Sequence, residues 1–218
     1  MKIYTGEQRT PEWFQLRAGK LTGSAAKDML KSVKSGESAG RRNLKYKLVA
    51  ERLTGIPQPS IRATAAMEWG TAHEAEAIAA YEAVTGAMVQ SIGFVEHDDQ
   101  PIGTSPDGFV GDDGIVSIKC PETATHIGYV RAGVEPTEHA AQNTHELFLT
   151  GRAWVDFVSY DPRLPEELQL FVVRCTRTPE QLAAYGAEVK TFLAEVETEL
   201  AALRTMRSLK TVLTEAVI

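Results

Sequence analysis

The sequence predicts an α/β fold (α+β in looser usage) formed as a single domain over residues 1–218. Three observations carry this. Helical periodicity dominates up to Gly86, short period-two runs follow it, and a long amphipathic stretch closes the chain from Pro179. No shift in composition divides the chain into two self-sufficient halves.

The elements follow from local signals. Pro11 at a helix start, with Trp13, Phe14 and Leu16 behind it, predicts a short opening helix ending near Gly19. Thr22, Gly23 or Ser24 caps a second helix reaching about Lys34, and Ser35 to Gly40 reads as a loop. A basic helix spans about Arg41 to Thr54. Pro57 and Pro59 break it, and an alanine-rich helix runs from Ala65 to Thr85, closed by Gly86. On that helix Met67, Thr71, Glu74, Ile78 and Tyr81 share one stripe, so the Glu74 carboxylate is expected to point inward.

Strands are then expected around Ser91 to Glu96, Gly108 to Val110 and Ile115 to Cys120, with Gly111-Asp112-Asp113-Gly114 as a hairpin turn. Glu138 to Leu149 reads as a helix, Ala153 to Ser159 and Glu167 to Cys175 as strands, and Pro179 to about Arg207 as a helix followed by a short terminal extension.

A chain of 218 residues at 43% hydrophobic content can bury a substantial core. No apolar run is long enough to cross a bilayer, and Met1 leads into a polar stretch, so a soluble intracellular protein is expected. Cys120 and Cys175 lack zinc-ligand or disulfide-framework spacing and read as reduced and structural. The net charge of −6 conceals an asymmetry. Lys27 to Arg62 holds nine Lys or Arg against three acids, which permits a local basic patch. Charge runs such as Lys31, Lys34, Arg41, Arg42, Lys45 and Lys47 more often only solvate a helix and its loop.

The chemistry-bearing stretch is Ser105-Pro106-Asp107-Gly108, the tight hairpin, and Ser117-Ile118-Lys119-Cys120-Pro121. Strand alternation turns Ser117 and Lys119 to one face and Val116 and Ile118 to the other, and the hairpin can bring Asp107 beside them. A carboxylate holding a hard cation, with an ammonium to stabilise an attacking hydroxide, suits phosphodiester hydrolysis.

These residues resemble the PD-(D/E)XK nucleases, in which Pro-Asp is followed after a hairpin by an acid, any residue and Lys. The likeness extends to the bacteriophage lambda exonuclease family, the YqaJ-type viral recombinases, through ordered blocks: Trp13-Phe14-Gln15-Leu16-Arg17-Ala18-Gly19 with Thr22-Gly23-Ser24, Trp69-Gly70-Thr71-Ala72-His73-Glu74, the two stretches above, and Ala141-Gln142 leading to Thr150-Gly151.

The resemblance implies a nuclease core with a central mixed sheet flanked by helices. It implies a 5′→3′ exonuclease on linear duplex DNA bearing a 5′-phosphate, two Mg²⁺ ions per site with Mn²⁺ as the alternative, a ring-shaped homotrimer, and a single-strand annealing protein as partner in the cytoplasm of a phage-infected bacterium. By motif, Asp107 resembles the central metal ligand, Lys119 the catalytic lysine, the Ile118 carbonyl a further ligand, and Glu74 the helix-borne acid. Gln142 resembles the glutamine flanking the site. Arg17 and Ser24 resemble the 5′-phosphate pocket, buttressed by Trp13. Taken singly, Glu74 could pair with a buried cation, Gln142 could face solvent and Arg17 could be a surface arginine. His73, His139 and His145 form no zinc motif and read as structural.

The chain departs from the pattern at Ser117, which stands where the family carries an acidic metal ligand. A neutral hydroxyl is a poor substitute, and catalysis is expected to fall. Three explanations stay open: a deliberate substitution, which is preferred; a migrated acid, with Glu122, Asp112 and Asp113 as the nearest candidates; or a catalytically silent DNA-end-binding descendant. An endonuclease of the same superfamily is a further rival, and the Arg17 and Ser24 match argues against it.

Overall fold

The computed structural model describes residues 1–30, 36–58 and 64–215, apart from the side chains of 67 and 207–215. Lys31, Lys34 and Arg62 of the basic stretch, and the end of the second predicted helix, lie outside these residues.

Thr10 caps the first helix, α1 (Pro11–Arg17), by accepting the Trp13 backbone N–H. Before it lies β1 (Lys2–Tyr4), and after it come β2 (Leu21–Thr22), a 3-10 turn at Gly23–Ala25 and α2 (Ala26–Leu30). The basic helix α3 (Ala39–Thr54) starts on a Ser38 cap and ends at Gly55, whose positive φ of 69° suits a residue without a Cβ. The alanine-rich helix α4 covers Ala65–Thr85, as expected.

Among the described residues nine strands build two sheets. β1 pairs with β4 (Phe94–Glu96), β4 with β5 (Ile102–Thr104), and β5 runs parallel to β2. The larger sheet has the order β3 (Val89–Gln90), β6 (Gly108–Val110), β7 (Gly114–Lys119), β8 (Trp154–Tyr160), β9 (Leu170–Cys175). It is mixed, because β7 and β8 are parallel while their other neighbours are antiparallel. The crossover from β7 to β8 carries α5 (Thr123–Ala132) and α6 (Thr137–Thr150). The last helix, α7, runs Pro179–Glu215.

Strand alternation divides the core. Val116, Ile118 and Val158 pack with Ala77 and Tyr81 of α4 on one face of the large sheet. Ile115, Val155 and Phe157 pack with Leu147 of α6 and Val189, Phe192 and Val196 of α7 on the other. Each Val, Leu, Ile or Phe among them contributes roughly 1.5–3 kcal/mol on burial. The Tyr81 hydroxyl donates to Asp156 at 2.8 Å, and Arg174 forks the same carboxylate, fixing α4 across the sheet.

Several expectations are corrected. The chain after Arg207 continues α7 to Glu215 instead of forming an extension. Of the run at Ser91 to Glu96 only Phe94–Glu96 is a strand, β4, while Val89–Gln90 just before the run forms β3 in the other sheet. The basic helix is largely tied to α7, with Arg41 2.6 Å and Lys45 3.7 Å from Glu195, and Arg52 2.6 Å from Glu197. These cations anchor two helices; Arg42 and Lys47 stay on the surface. Both cysteines are buried and free, as expected.

Candidate active site

Asp107 sits just before β6 and Lys119 at the end of β7, and the hairpin folds the two together. Their charged atoms lie 3.7 Å apart, and Asp107 Oδ2 accepts the Ile118 backbone N–H at 2.6 Å. The Lys119 ammonium also donates to the Ile118 carbonyl at 2.9 Å and to Ser117 Oγ at 3.2 Å. Alternation therefore runs as expected, with the Lys119 ammonium returning to Ser117 on its own face.

A cleft of ≈ 420 Å³ opens here, lined by Glu74, Asp107, Ile118, Lys119, Tyr129 and His139 among others. Glu74 enters from α4 with a half-buried carboxyl group. Burial and the Asp107 charge push its pKa up, against the opposing pull of Arg9, whose guanidinium lies 3.5 Å away. Arg9 also donates to Thr71 at 2.6 Å from a left-handed backbone conformation, φ 69°. His139 stacks on Phe157 at 5.2 Å between ring centroids. Burial and the Lys119 charge hold its pKa down at about 4, so it is neutral. The Cys120 thiol is pushed up to about 12 by burial and by the Glu74 and Asp107 charges, and is inert as a nucleophile near neutral pH.

A second group lies two residues along the chain from Asp107. Ser105 Oγ accepts from Trp13 Nε1 at 2.9 Å and from Arg17 at 3.0 Å, and Arg17 reaches Thr22 and Ser24 hydroxyls at 3.3 Å each. The Arg17 guanidinium stacks over the Trp13 ring at 4.2 Å. Burial lowers its pKa to about 10, against the more distant Glu51. Among the described residues no carboxylate forms an ion pair with it, so a guanidinium fork and two hydroxyls are available to an anion.

Gln142 lies on α6, where its Nε2 donates to Glu146 Oε1 at 2.9 Å; Thr104 makes a longer contact of 3.5 Å to the same oxygen. Glu146 is 0% exposed and its Oε2 has no hydrogen-bond partner. Burial pushes its pKa up to about 7, the Gln142 bond opposes this, and the charges of Asp107 and Lys119 both bear on it. Ser117 is equally deep, at 1% exposure.

Sequence reasoning singled out Asp107, Lys119, Glu74, Ser117 and Ile118, which the fold brings together, and Trp13, Arg17 and Ser24, which form the adjacent group. It passed over Glu146, Arg9 and Tyr129. One helical turn separates Gln142 from Glu146, and that spacing was the available signal. The proposed substitutes for the absent acid do not reach the cleft: Asp112 and Asp113 lie exposed in the hairpin turn, and Glu122 faces Arg163 at 3.5 Å.

The donors around the cleft are the hard oxygens that Mg²⁺ takes: the Asp107 and Glu74 carboxylates and the Ile118 carbonyl, where the Lys119 ammonium now sits. Among the described residues no three His, Cys, Asp or Glu side chains are grouped closely enough to hold a metal by themselves. The donor chemistry fits a hard cation; the ligand set is one carboxylate short at Ser117.

A mixed sheet flanked by helices, with this hairpin supplying its central strand, is the fold of the PD-(D/E)XK nucleases. The chain belongs to the YqaJ-like viral recombinase domain family, which matches residues 12–153. It is similar to the crystal structure of an alkaline exonuclease from Laribacter hongkongensis, at 40% identity and TM-score 0.83, over 91% of this chain and 98% of that one. The same relative in complex with dAMP matches equally well. A phage-related exonuclease from Haemophilus somnus shares the fold, at 14% identity and TM-score 0.65, over 87% of this chain and 99% of that one. No curated protein matches the chain. Family and relative together support a nuclease role of the exonuclease kind. No helix among the described residues is long and apolar enough to cross a membrane.

Proposed function

We propose that the chain degrades linear double-stranded DNA from 5′-phosphorylated ends in the 5′→3′ direction, leaving 3′ overhangs for phage recombination. The observation that carries this reading is the spacing of the two groups. The Arg17 and Ser24 anion pocket and the Asp107 and Lys119 pair meet through Ser105 and Asp107, two residues apart on one connecting segment.

In this reading Arg17, Ser24 and the Trp13 stack grip the terminal 5′-phosphate, which fixes strand polarity. The next phosphate lies against Lys119, whose ammonium polarises the attacking water and offsets charge growing on the phosphoryl oxygens. Water adds to phosphorus, the bond to the 3′-oxygen breaks, and a mononucleotide leaves. The new end carries a 5′-phosphate, so each cut regenerates the group that Arg17 recognises. The dAMP complex of the 40%-identical relative supports a mononucleotide product. Asp107, Glu74 and the Ile118 carbonyl would hold Mg²⁺, two ions per site, or Mn²⁺ in its place. The metal supplies charge neutralisation and a more acidic bound water. Gln142 orients groups at the edge of the cleft. A homotrimeric ring around the duplex, a single-strand annealing partner and a bacterial cytoplasmic setting complete the proposal.

Release of mononucleotides from 5′-phosphorylated linear duplex in Mg²⁺, against a 5′-hydroxyl duplex and a closed circle, tests it. Release from the first substrate and none from the circle is expected; cutting of the circle would replace the reading with an endonuclease. Ser117 favours a second reading, a catalytically silent DNA-end-binding protein, which predicts ordinary affinity for ends and no hydrolysis.

A further inference from the structure

We propose that Glu146 supplies the carboxylate that Ser117 lacks, so that the acidic metal ligand of this site has moved from strand β7 to helix α6. The inference rests on the metal-dependent nuclease reading and concerns where its second acid resides.

Three observations converge. Ser117 stands at the acid's place with only a hydroxyl, 1% exposed, and its oxygen meets the Lys119 ammonium at 3.2 Å. A carboxylate serving this position must therefore be buried. Glu146 lies at that depth, 0% exposed, with Oε1 held by Gln142 at 2.9 Å and Oε2 without a hydrogen-bond partner. A glutamic acid kept only for structure would satisfy both oxygens, because an unpaired buried polar atom is costly. An oxygen reserved for a ligand is left open in just this way.

The two residues also share a side of the sheet. Ser117 lies on the face of β7 that carries Ile115, and Ile115 packs in the same cluster as Leu147, the residue after Glu146. From there the charges of Asp107 and Lys119 reach the Glu146 carboxyl group. Gln142 then acquires a role: it holds one oxygen of Glu146 and directs the other, as outer-shell partners of metal ligands do. The acids nearest in sequence, Asp112, Asp113 and Glu122, are exposed and point elsewhere.

The test uses the whole chain. Mn²⁺ binding is followed by electron paramagnetic resonance, hydrolysis of 5′-phosphorylated linear duplex is measured in Mg²⁺, and thermal melting checks the fold. The variants are Glu146→Gln, Ser117→Glu, and Glu146→Ser combined with Ser117→Glu. Glu146→Gln, which keeps the shape, is expected to weaken Mn²⁺ binding at least about tenfold and to slow hydrolysis about 100-fold or more. The exchange of Glu146→Ser with Ser117→Glu keeps the carboxylate count and is expected to restore both to within about tenfold of the parent.

Parental Mn²⁺ binding and hydrolysis in Glu146→Gln would overturn the inference and leave the nuclease reading intact. So would a parent that cuts DNA only after Ser117→Glu, or an exchange variant that melts like the parent yet neither binds Mn²⁺ nor cuts. A parent and a Ser117→Glu variant that both fail to bind Mn²⁺ and to cut would bring down the nuclease reading, and the inference with it.

Discussion

The Asp107 carboxylate accepts the backbone N–H of Ile118 at 2.6 Å, so one of its oxygens is committed to holding the hairpin closed while the other remains for chemistry. Asp107→Asn keeps a carbonyl oxygen for that bond and removes the charge. The expected result is unfolding stability within about 1 kcal/mol of the parent and hydrolysis slower by at least about 100-fold. Chemical denaturation and a nuclease assay measured on one preparation check this. Retention of activity would exclude Asp107 from the reaction.

Arg17 separates end recognition from cutting. Arg17→Lys keeps a cation and loses the fork that bridges the Ser105, Thr22 and Ser24 hydroxyls. The preference for 5′-phosphorylated over 5′-hydroxyl ends is expected to fall by about tenfold or more, from the strength of a charge-assisted hydrogen bond. Paired rates on the two substrates give the ratio directly. An unchanged ratio would move the phosphate pocket elsewhere.

His145 makes the fold acid-sensitive. Its Nε2 donates to the Gly103 carbonyl at 3.0 Å and its Nδ1 accepts the Tyr185 hydroxyl at 2.7 Å, a pattern that only the neutral ring satisfies. Burial holds its pKa down at about 4, against the Gly103 bond, which favours the charged form. A folded pKa below the unfolded one contributes stability that is present above about 6.5 and lost as pH falls toward 4, on the order of 3 kcal/mol in all. Denaturant unfolding at pH 7, 6, 5 and 4 should trace that loss. His145→Gln should be less stable at pH 7 and show a shallower acid slope; an equal slope in both proteins would assign the sensitivity to another group.

Gly93 couples β1 to the phosphate pocket. A Cβ there would stand 2.0 Å from the Gly6 carbonyl oxygen, and the Gly93 carbonyl itself accepts Trp13 Nε1 at 3.0 Å. Gly93→Ala must displace backbone, with an expected cost of about 1–3 kcal/mol and a loosened Trp13 that weakens the stack beneath Arg17. Thermal melting and tryptophan fluorescence report the two effects. Parental values for both would contradict the close approach of Gly93 to Gly6.

Local chemistry was legible in the sequence. The tight turn at Gly111 to Gly114 and the alternation of Ser117 with Ile118 belong to neighbouring residues, so the Asp107 and Lys119 pair could be read from spacing. The α4 boundaries came from an alanine-rich run between breakers. Helix α5 escaped because Gly128 interrupts a weak pattern, although the left-handed Gly133 at its end was a usable signal. Strands β2 and β5 escaped because each is two or three residues long, and their pairing joins Leu21 to Ile102, far apart in sequence.

The sequence by itself determined the class of fold, the hairpin with its Asp and Lys, and the family blocks around Trp13, Arg17 and Glu74, all of which depend on short-range periodicity and fixed residue order. Only the tertiary structure decided the rest. The α3 cations Arg41, Lys45 and Arg52 pair with α7, and Glu146 is buried and bonded to Gln142, where the charges of Asp107 and Lys119 act on it. Both outcomes depend on which faces of distant helices meet, and that is set by the collective packing of the core around β7 and β8, which no local pattern encodes.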